Sequence, residues 1–243
     1  TLDPIAPAMA GDLQLSNNNG SVVTPIAAGC TTSDNTPVLS GTAEPGSIVT
    51  VSDGSNVLGT ATVGSNGSWS FTSPALSDGS HSLTTTVTDA AGNTGPASTP
   101  VTLTVDTTPP AAVSGLVVTD NVGDSQSAFA SGDITDDNTP TLSGTGEPNA
   151  LLSIHDSTTL LGNVTVNTDG TWTFTTPALS NGSHTFTISA TDAAGNVGPT
   201  SPPFTVNIEA GLPAATTSLQ GVDDNGNIVE PLTNGVSTND PTP

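Results

Sequence analysis

Oxygen-bearing side chains recur along this sequence at one fixed interval. Asp3, Asp106 and Glu209 lie 103 residues apart, and Glu44 with Glu147, Asp89 with Asp192 and Asn93 with Asn196 keep the same spacing. Carboxylates and side-chain amides of this kind are ligands for hard divalent cations. A second acidic group, Asp120, Asp124, Asp136 and Asp137, falls within one stretch of the second half. The 243-residue chain holds 22 Asp plus Glu and no Lys or Arg, a formal net charge of -22, so neither basic side chain is available to pair with them.

That deficit removes whole classes of function. Nucleic-acid binding needs Lys and Arg against phosphate, and a polybasic grip on anionic lipid needs the same residues. P-loop phosphate sites, arginine fingers and Schiff-base lysines are equally excluded. No stretch approaches the ~20 apolar residues of a membrane span, and no basic-then-apolar leader opens the sequence. Cys30 is the single cysteine, so no intrachain disulfide can form. With 33% hydrophobic and 3% aromatic residues and no Tyr, the composition borders on that of disordered chains, and order needs some device beyond a large core.

Repetition points to that device. Asp34-Asn35-Thr36-Pro37 returns as Asp137-Asn138-Thr139-Pro140, Trp69 as Trp172 and His81 as His184, with no break in register. A unit of 103 residues exceeds a solenoid repeat and has the size of a small domain. Short alternating runs such as Ile48-Val49-Thr50-Val51 and Leu83-Thr84-Thr85-Thr86-Val87 are separated by Asp53-Gly54, Asn66-Gly67 and Asp78-Gly79 turns. No helical period appears. The pattern predicts an all-β chain of tandem immunoglobulin-like sandwiches in an elongated array.

In the second copy, strands A to G are expected near 113–119, 140–146, 150–155, 162–167, 171–177, 183–191 and 202–208. The units expected are 1–105, 106–208 and a partial third, 209–243, with only a strand A and an A–B loop. That piece cannot bury a core alone, so an extended tail, or strand addition and lateral association with a neighbouring molecule, is expected of it. Trp69 with Phe71, and Trp172 with Phe174, share a strand face, which predicts core rather than an exposed sugar-stacking site.

Strand reversal then sorts the acids between the two ends of each sandwich. Asp106, Glu147, Asp192 and Asn196 gather at the leading end, as do Asp3, Glu44, Asp89 and Asn93 in the first copy. Asp120, Asp124, Asp136, Asp137 and Glu209 gather at the trailing end, facing the next unit. Two carboxylates ~4 Å apart repel by about 1 kcal/mol in water and about 4 kcal/mol near a protein surface. Ca²⁺ relieves this with flexible oxygen coordination, whereas Mg²⁺ demands a stricter octahedron and Zn²⁺ wants clustered Cys or His. These residues are the candidate ligands and Ca²⁺ the expected ion. Asp53, Asp78, Asp156 and Asp169 are expected only to hold turns.

The motifs at 34–45 and 137–148 (Asp-Asn-Thr-Pro-x-Leu-Ser-Gly-Thr-x-Glu-Pro), at 67–72 and 170–175 around Trp, at 74–81 and 177–184 ending in His, and Thr-Asp-Ala-Ala-Gly-Asn-x-Gly-Pro at 88–96 and 191–199 resemble bacterial Ig-like repeats. These are repeats of giant, type-I-secreted, biofilm-associated surface adhesins of Gram-negative bacteria. The resemblance implies an extracellular spacer array stiffened by interdomain Ca²⁺, with neighbouring repeats as partners and Asp106, Asp192 and Asn196 as calcium contacts. Glu209-Ala210-Gly211-Leu212-Pro213 departs from Asp106-Thr107-Thr108-Pro109-Pro110, and its longer side chain alters the third junction.

A structural extender is therefore the first expectation. A module that binds a glycan or a host protein, or a subunit of an extracellular filament, is the alternative. Its mark would be an exposed aromatic in one copy, such as Phe129 where the first copy has Ile26. A hydrolase needs paired carboxylates across a cleft, and a complete active site repeated in every unit argues against one.

Overall fold

Alternation of apolar residues with Ser or Thr, rather than long apolar runs, makes every regular element among the described residues a strand. The computed structural model describes residues 3–18, 24–122 and 127–211, and no helix occurs among them. The first repeat forms β1 (Gly11–Asn17), β2 (Thr24–Ile26), β3 (Thr31–Thr32), β4 (Val38–Thr42), β5 (Ile48–Asp53), β6 (Asn56–Thr62), β7 (Ser68–Thr72), β8 (Gly79–Thr88) and β9 (Val101–Val105). The second forms β10 (Ser114–Thr119), β11 (Ile134–Thr135), β12 (Thr141–Thr145), β13 (Leu151–Asp156), β14 (Thr159–Thr165), β15 (Thr171–Thr175), β16 (Gly182–Thr191) and β17 (Phe204–Ile208). Residues 212–243, most of the partial third unit, lie outside the described residues, as does Asp124.

Each repeat is a two-sheet sandwich. The sheets run β2-β1-β4-β7 and β3-β9-β8-β5-β6 in the first, and β10-β12-β15 and β11-β17-β16-β13-β14 in the second. The architecture is all-β and immunoglobulin-like, as the strand pattern predicts. One strand differs. The segment expected as strand D begins at Thr159 and pairs antiparallel with β13, from Leu151↔Thr165 to Asp156↔Thr159. It therefore belongs to the same sheet as β13 and is a C′ strand. The reason is local: Ser157-Thr158 is a two-residue turn with Ser157 at φ 53°, and so tight a turn returns the chain to the adjacent strand. The short β3 and β11, which pair in parallel with β9 and β17, are too brief to show a period.

The alternation buries one face of each strand. Val49, Val51, Leu83, Val87 and Leu103 form one core, and Leu152, Ile154, Phe186, Ile188 and Val206 form a separate one. Trp69 and Trp172 are only 4% and 2% exposed, so neither indole is available to stack on a sugar. At equivalent positions in β8 and β16, the second repeat buries Ile188 while the first buries Thr85, whose hydroxyl has no hydrogen-bond partner. Thr85→Val keeps nearly the same shape and removes that cost. It should stabilise the first repeat by about 1–3 kcal/mol, read from urea unfolding; a loss of stability would mean that the hydroxyl is satisfied after all.

Candidate functional site

The leading end of each repeat is organised by the turn between β8 and β9, or between β16 and β17. Gly195 sits at φ 92° and Gly92 at φ 93°, a left-handed conformation that glycine adopts without a Cβ penalty. It lets the turn fold back on its first Asp. Asp192 Oδ1 accepts the Ala194 and Asn196 N–H groups at 2.8 and 2.9 Å. Asn196 Nδ2 donates to Asp192 Oδ2 and to the main-chain oxygen of Asp106, both at 2.8 Å. The first repeat repeats this pattern: Asn93 Nδ2 donates to Asp89 Oδ2 at 2.7 Å and to the Asp3 carbonyl at 2.8 Å. The Asn93 amide and the turn N–H groups hold the Asp89 carboxyl below its usual pKa.

Asp3, Asp89 and Asn93, and likewise Asp106, Asp192 and Asn196, are thus brought together at one point. The linker Asp contributes its carbonyl, while its own carboxylate caps the linker by accepting the Thr108 N–H at 3.1 Å, or the Ile5 N–H at 3.0 Å. Glu44 and Glu147 are exposed; they hold the preceding turn through their carbonyls, which accept Ser47 and Ala150 N–H. Neither carboxylate joins the turn's hydrogen bonds. Glu209 is exposed, and its N–H donates to Thr135.

Among the described trailing-end acids, Asp120, Asp137 and Glu209 meet at Thr135. Asp137 is fully buried; its Oδ1 accepts Thr139 N–H at 2.7 Å and its Oδ2 accepts Asn121 N–H at 2.8 Å. Asp34 holds Thr36 and Asn18 in the same way. Asp120 accepts Val122 N–H and, at 3.4 Å, the Thr135 hydroxyl, whose oxygen accepts Asp137 N–H. Asp136 is exposed. The carboxylates of Asp34, Asp89, Asp120, Asp137 and Asp192 are thus answered from within the chain by neutral N–H and O–H donors, in place of basic side chains.

Two further residues hold the junction. Asp78, expected only to hold its turn, accepts the Thr107 N–H and hydroxyl at 3.0 and 2.8 Å and the Thr108 hydroxyl at 3.0 Å. The Thr107 donors, then Thr108, lower its pKa. Its counterpart Asn181 pairs with the Ala210 N–H and carbonyl, both at 2.9 Å. The linker is therefore hydrogen-bonded rather than bare. Across the junction, Ser33 N–H of the first repeat donates to the Ala194 carbonyl of the second at 3.2 Å. A side chain before Gly at the same place in both copies was the available signal for Asp78, but its partner lies across a loop. Asp169 does hold its turn, through Thr171.

Among the described residues, no three His, Cys, Asp or Glu form a group placed to hold a metal. The set at Asn196 is instead one carboxylate, one carbonyl and one side-chain amide. Its oxygens are of the hard type that calcium accepts, so the donor chemistry fits that ion, although the Asn196 amide also satisfies the other two groups by hydrogen bonds alone. Both ring nitrogens of His81 and His184 face a carboxylate and a carbonyl, so no serine hydroxyl rests on either ring. Phe129 and Phe204 pack against the second core. Their counterparts Ile26 and Val101 line a shallow apolar groove of about 300 Å³ with Leu13 and Leu15.

Among solved structures, the chain is similar to fibronectin(III)-like modules of Clostridium thermocellum CbhA, with 11% identity over 81% of this chain and 94% of that one and a TM-score of 0.45. It is similar to the BSP domain of a biofilm-associated protein, with 18% identity over 76% of this chain and 29% of that one and a TM-score of 0.30. No curated protein matches it. The bacterial Ig-like domain pattern matches residues 14–107 and again 112–210. With both repeats covered, the chain belongs to the bacterial Ig-like domain family.

Proposed function

We propose that this chain is a spacer segment of a bacterial cell-surface adhesin, serving adhesion or biofilm formation, and that Ca²⁺ stiffens its junctions. What supports this is the junction itself, where the linker carbonyl of Asp106, the Asp192–Asn196 turn and Ser33 of the preceding repeat meet. Near-identical loops at every repeat build length rather than one unique pocket. The Asp106 carbonyl, the Asp192 carboxylate and the Asn196 amide would hold the ion, as would Asp3, Asp89 and Asn93. Bound Ca²⁺ supplies the positive charge that a chain of -22 lacks. Of the other acids, Asp137 and its counterpart Asp34 tie the strand connection, and Asp78 grips the linker.

Small-angle scattering and thermal unfolding, with Ca²⁺ and with EDTA, test the reading. Calcium should extend the envelope and raise the melting temperature in proportion to ln(1 + [Ca²⁺]/Kd), and Asp192→Asn should blunt both effects at the second leading end. An envelope equally long and a melt equally high in EDTA would discard the calcium part. A short, collapsed envelope in both conditions would discard the spacer itself.

A further inference from the structure

Each repeat holds one histidine with an oxygen acceptor on both ring nitrogens. His81 Nδ1 lies 2.7 Å from Asp53 Oδ2 and Nε2 lies 2.8 Å from the Ser77 carbonyl. His184 meets Asp156 Oδ2 at 2.7 Å and the Ser180 carbonyl at 2.8 Å. A carbonyl only accepts, and so does an ionised carboxylate, whereas a neutral imidazole has a single N–H to give. The other carboxylate oxygens are already engaged: Asp53 Oδ1 accepts Ser82 N–H and Asp156 Oδ1 accepts Thr185 N–H, each at 2.9 Å. The bond from Ser82 favours the ionised form of Asp53. The arrangement needs one proton more than a neutral imidazole beside a carboxylate.

We propose that His81 and His184 are carried as imidazolium in the folded chain, and that each is a proton-dependent latch on the loop that grips the outgoing linker. The latch ties three segments: the β5–β6 turn through Asp53, β8 through His81, and the β7–β8 loop through Ser77. The next residue of that loop is Asp78, which holds Thr107 and Thr108. In the second repeat Ser180 precedes Asn181, which holds Ala210. In a chain without Lys or Arg, these imidazoles are its buried cations.

The titratable and charged groups around each latch are few. Beside His81 they are Asp53, Asp78, whose carboxylate is turned to the linker, and Asp106 just beyond β9, which caps Thr108. Beside His184 they are Asp156, its neighbour His155, and Glu209 beyond β17; β8, β9, β16 and β17 carry no acid of their own. Burial works against a charged ring, yet the bonds to Asp53 and Ser77, and to Asp156 and Ser180, outweigh it and lift both histidines above the ordinary value of 6.5. Asp53 is shifted downward in turn, burial opposing and His81 with Ser82 prevailing. The histidine's share of each latch is complete below pH 6.5 and is lost as the pH rises through the raised, folded-state value, while the share of Asp53 is lost as the pH falls through its lowered one.

The test is NMR of the full chain with isotope-labelled histidines, titrated from below to well above the ordinary histidine pKa. A histidine in an unstructured peptide, recorded over the same pH range, is the reference. His81 and His184 should keep both ring nitrogens protonated above pH 6.5, after the reference histidine has become neutral. In the same range, unfolding should release up to one proton per repeat, seen as stability falling with rising pH. Asp156→Asn should bring His184 into step with the reference histidine and leave His81 unmoved. If that variant does not fold its second repeat, the unmodified chain still decides. Neutral tautomers at His81 and His184 in step with the reference histidine would overturn the proposal.

Discussion

Gly198→Ala should destabilise the second repeat by about 1–3 kcal/mol, the usual cost of forcing atoms into a filled space, and should loosen the linker in front of it. A Cβ at Gly198 would overlap the main-chain oxygen of Pro110, and one at Gly95 would overlap that of Pro7. Backbone cannot retreat as a flexible side chain can, so the linker itself must move. Pro110 is followed within a few residues by β10 and preceded by Asp106, whose carbonyl is held by Asn196. Displacing this stretch therefore strikes the candidate cation site without touching any of its donors. Urea unfolding reads the stability, and the calcium response of the melt reads the site. Unchanged stability would show that the linker is not seated against Gly198.

Asp137→Asn should cost about 3 kcal/mol, because it leaves buried donors facing an amide NH₂ instead of an ionised oxygen. Asp137 is wholly buried and serves Thr139 N–H and hydroxyl on one oxygen and Asn121 N–H on the other. An amide can keep only one of those sides. The residue sits where strand connection and core meet, so the loss should appear as a lower unfolding midpoint for the whole repeat. EDTA separates the two roles that its position suggests. A structural knot predicts the same loss with and without calcium, whereas a loss confined to calcium-loaded protein would make Asp137 an ion ligand.

The strand positions in the second copy were legible because alternation has a strict period of two: runs such as Leu151–Asp156 and Gly182–Thr191 can bury only one set of side chains. The sheet to which β14 belongs was not legible, since its alternation is the same on either sheet and the two-residue turn at Ser157 decides. Convergence of Asp106, Asp192 and Asn196 followed from strand reversal alone. That Asp106 would arrive with its carbonyl, and that Glu147 would stand aside, depends on loop conformation. Asp53, Asp78 and Asp156 read as ordinary turn residues because each turn looks complete by itself; their partners His81, Thr107 and His184 lie 28 or 29 positions away.

The sequence by itself determined that this protein is a repeat of all-β units with its acids sorted to the ends, and that no lysine or arginine answers them. Both conclusions rest on periodicity and composition, which survive any detail of packing. Only the tertiary structure decided what does answer them. A hydrogen bond depends on the direction and distance of one donor, and here the donors come from as far as 90 residues away, as in Asn196 to Asp106. Amides, hydroxyls, backbone N–H groups and two imidazoles take the place of the missing basic side chains, because folding carries those groups to the carboxylates.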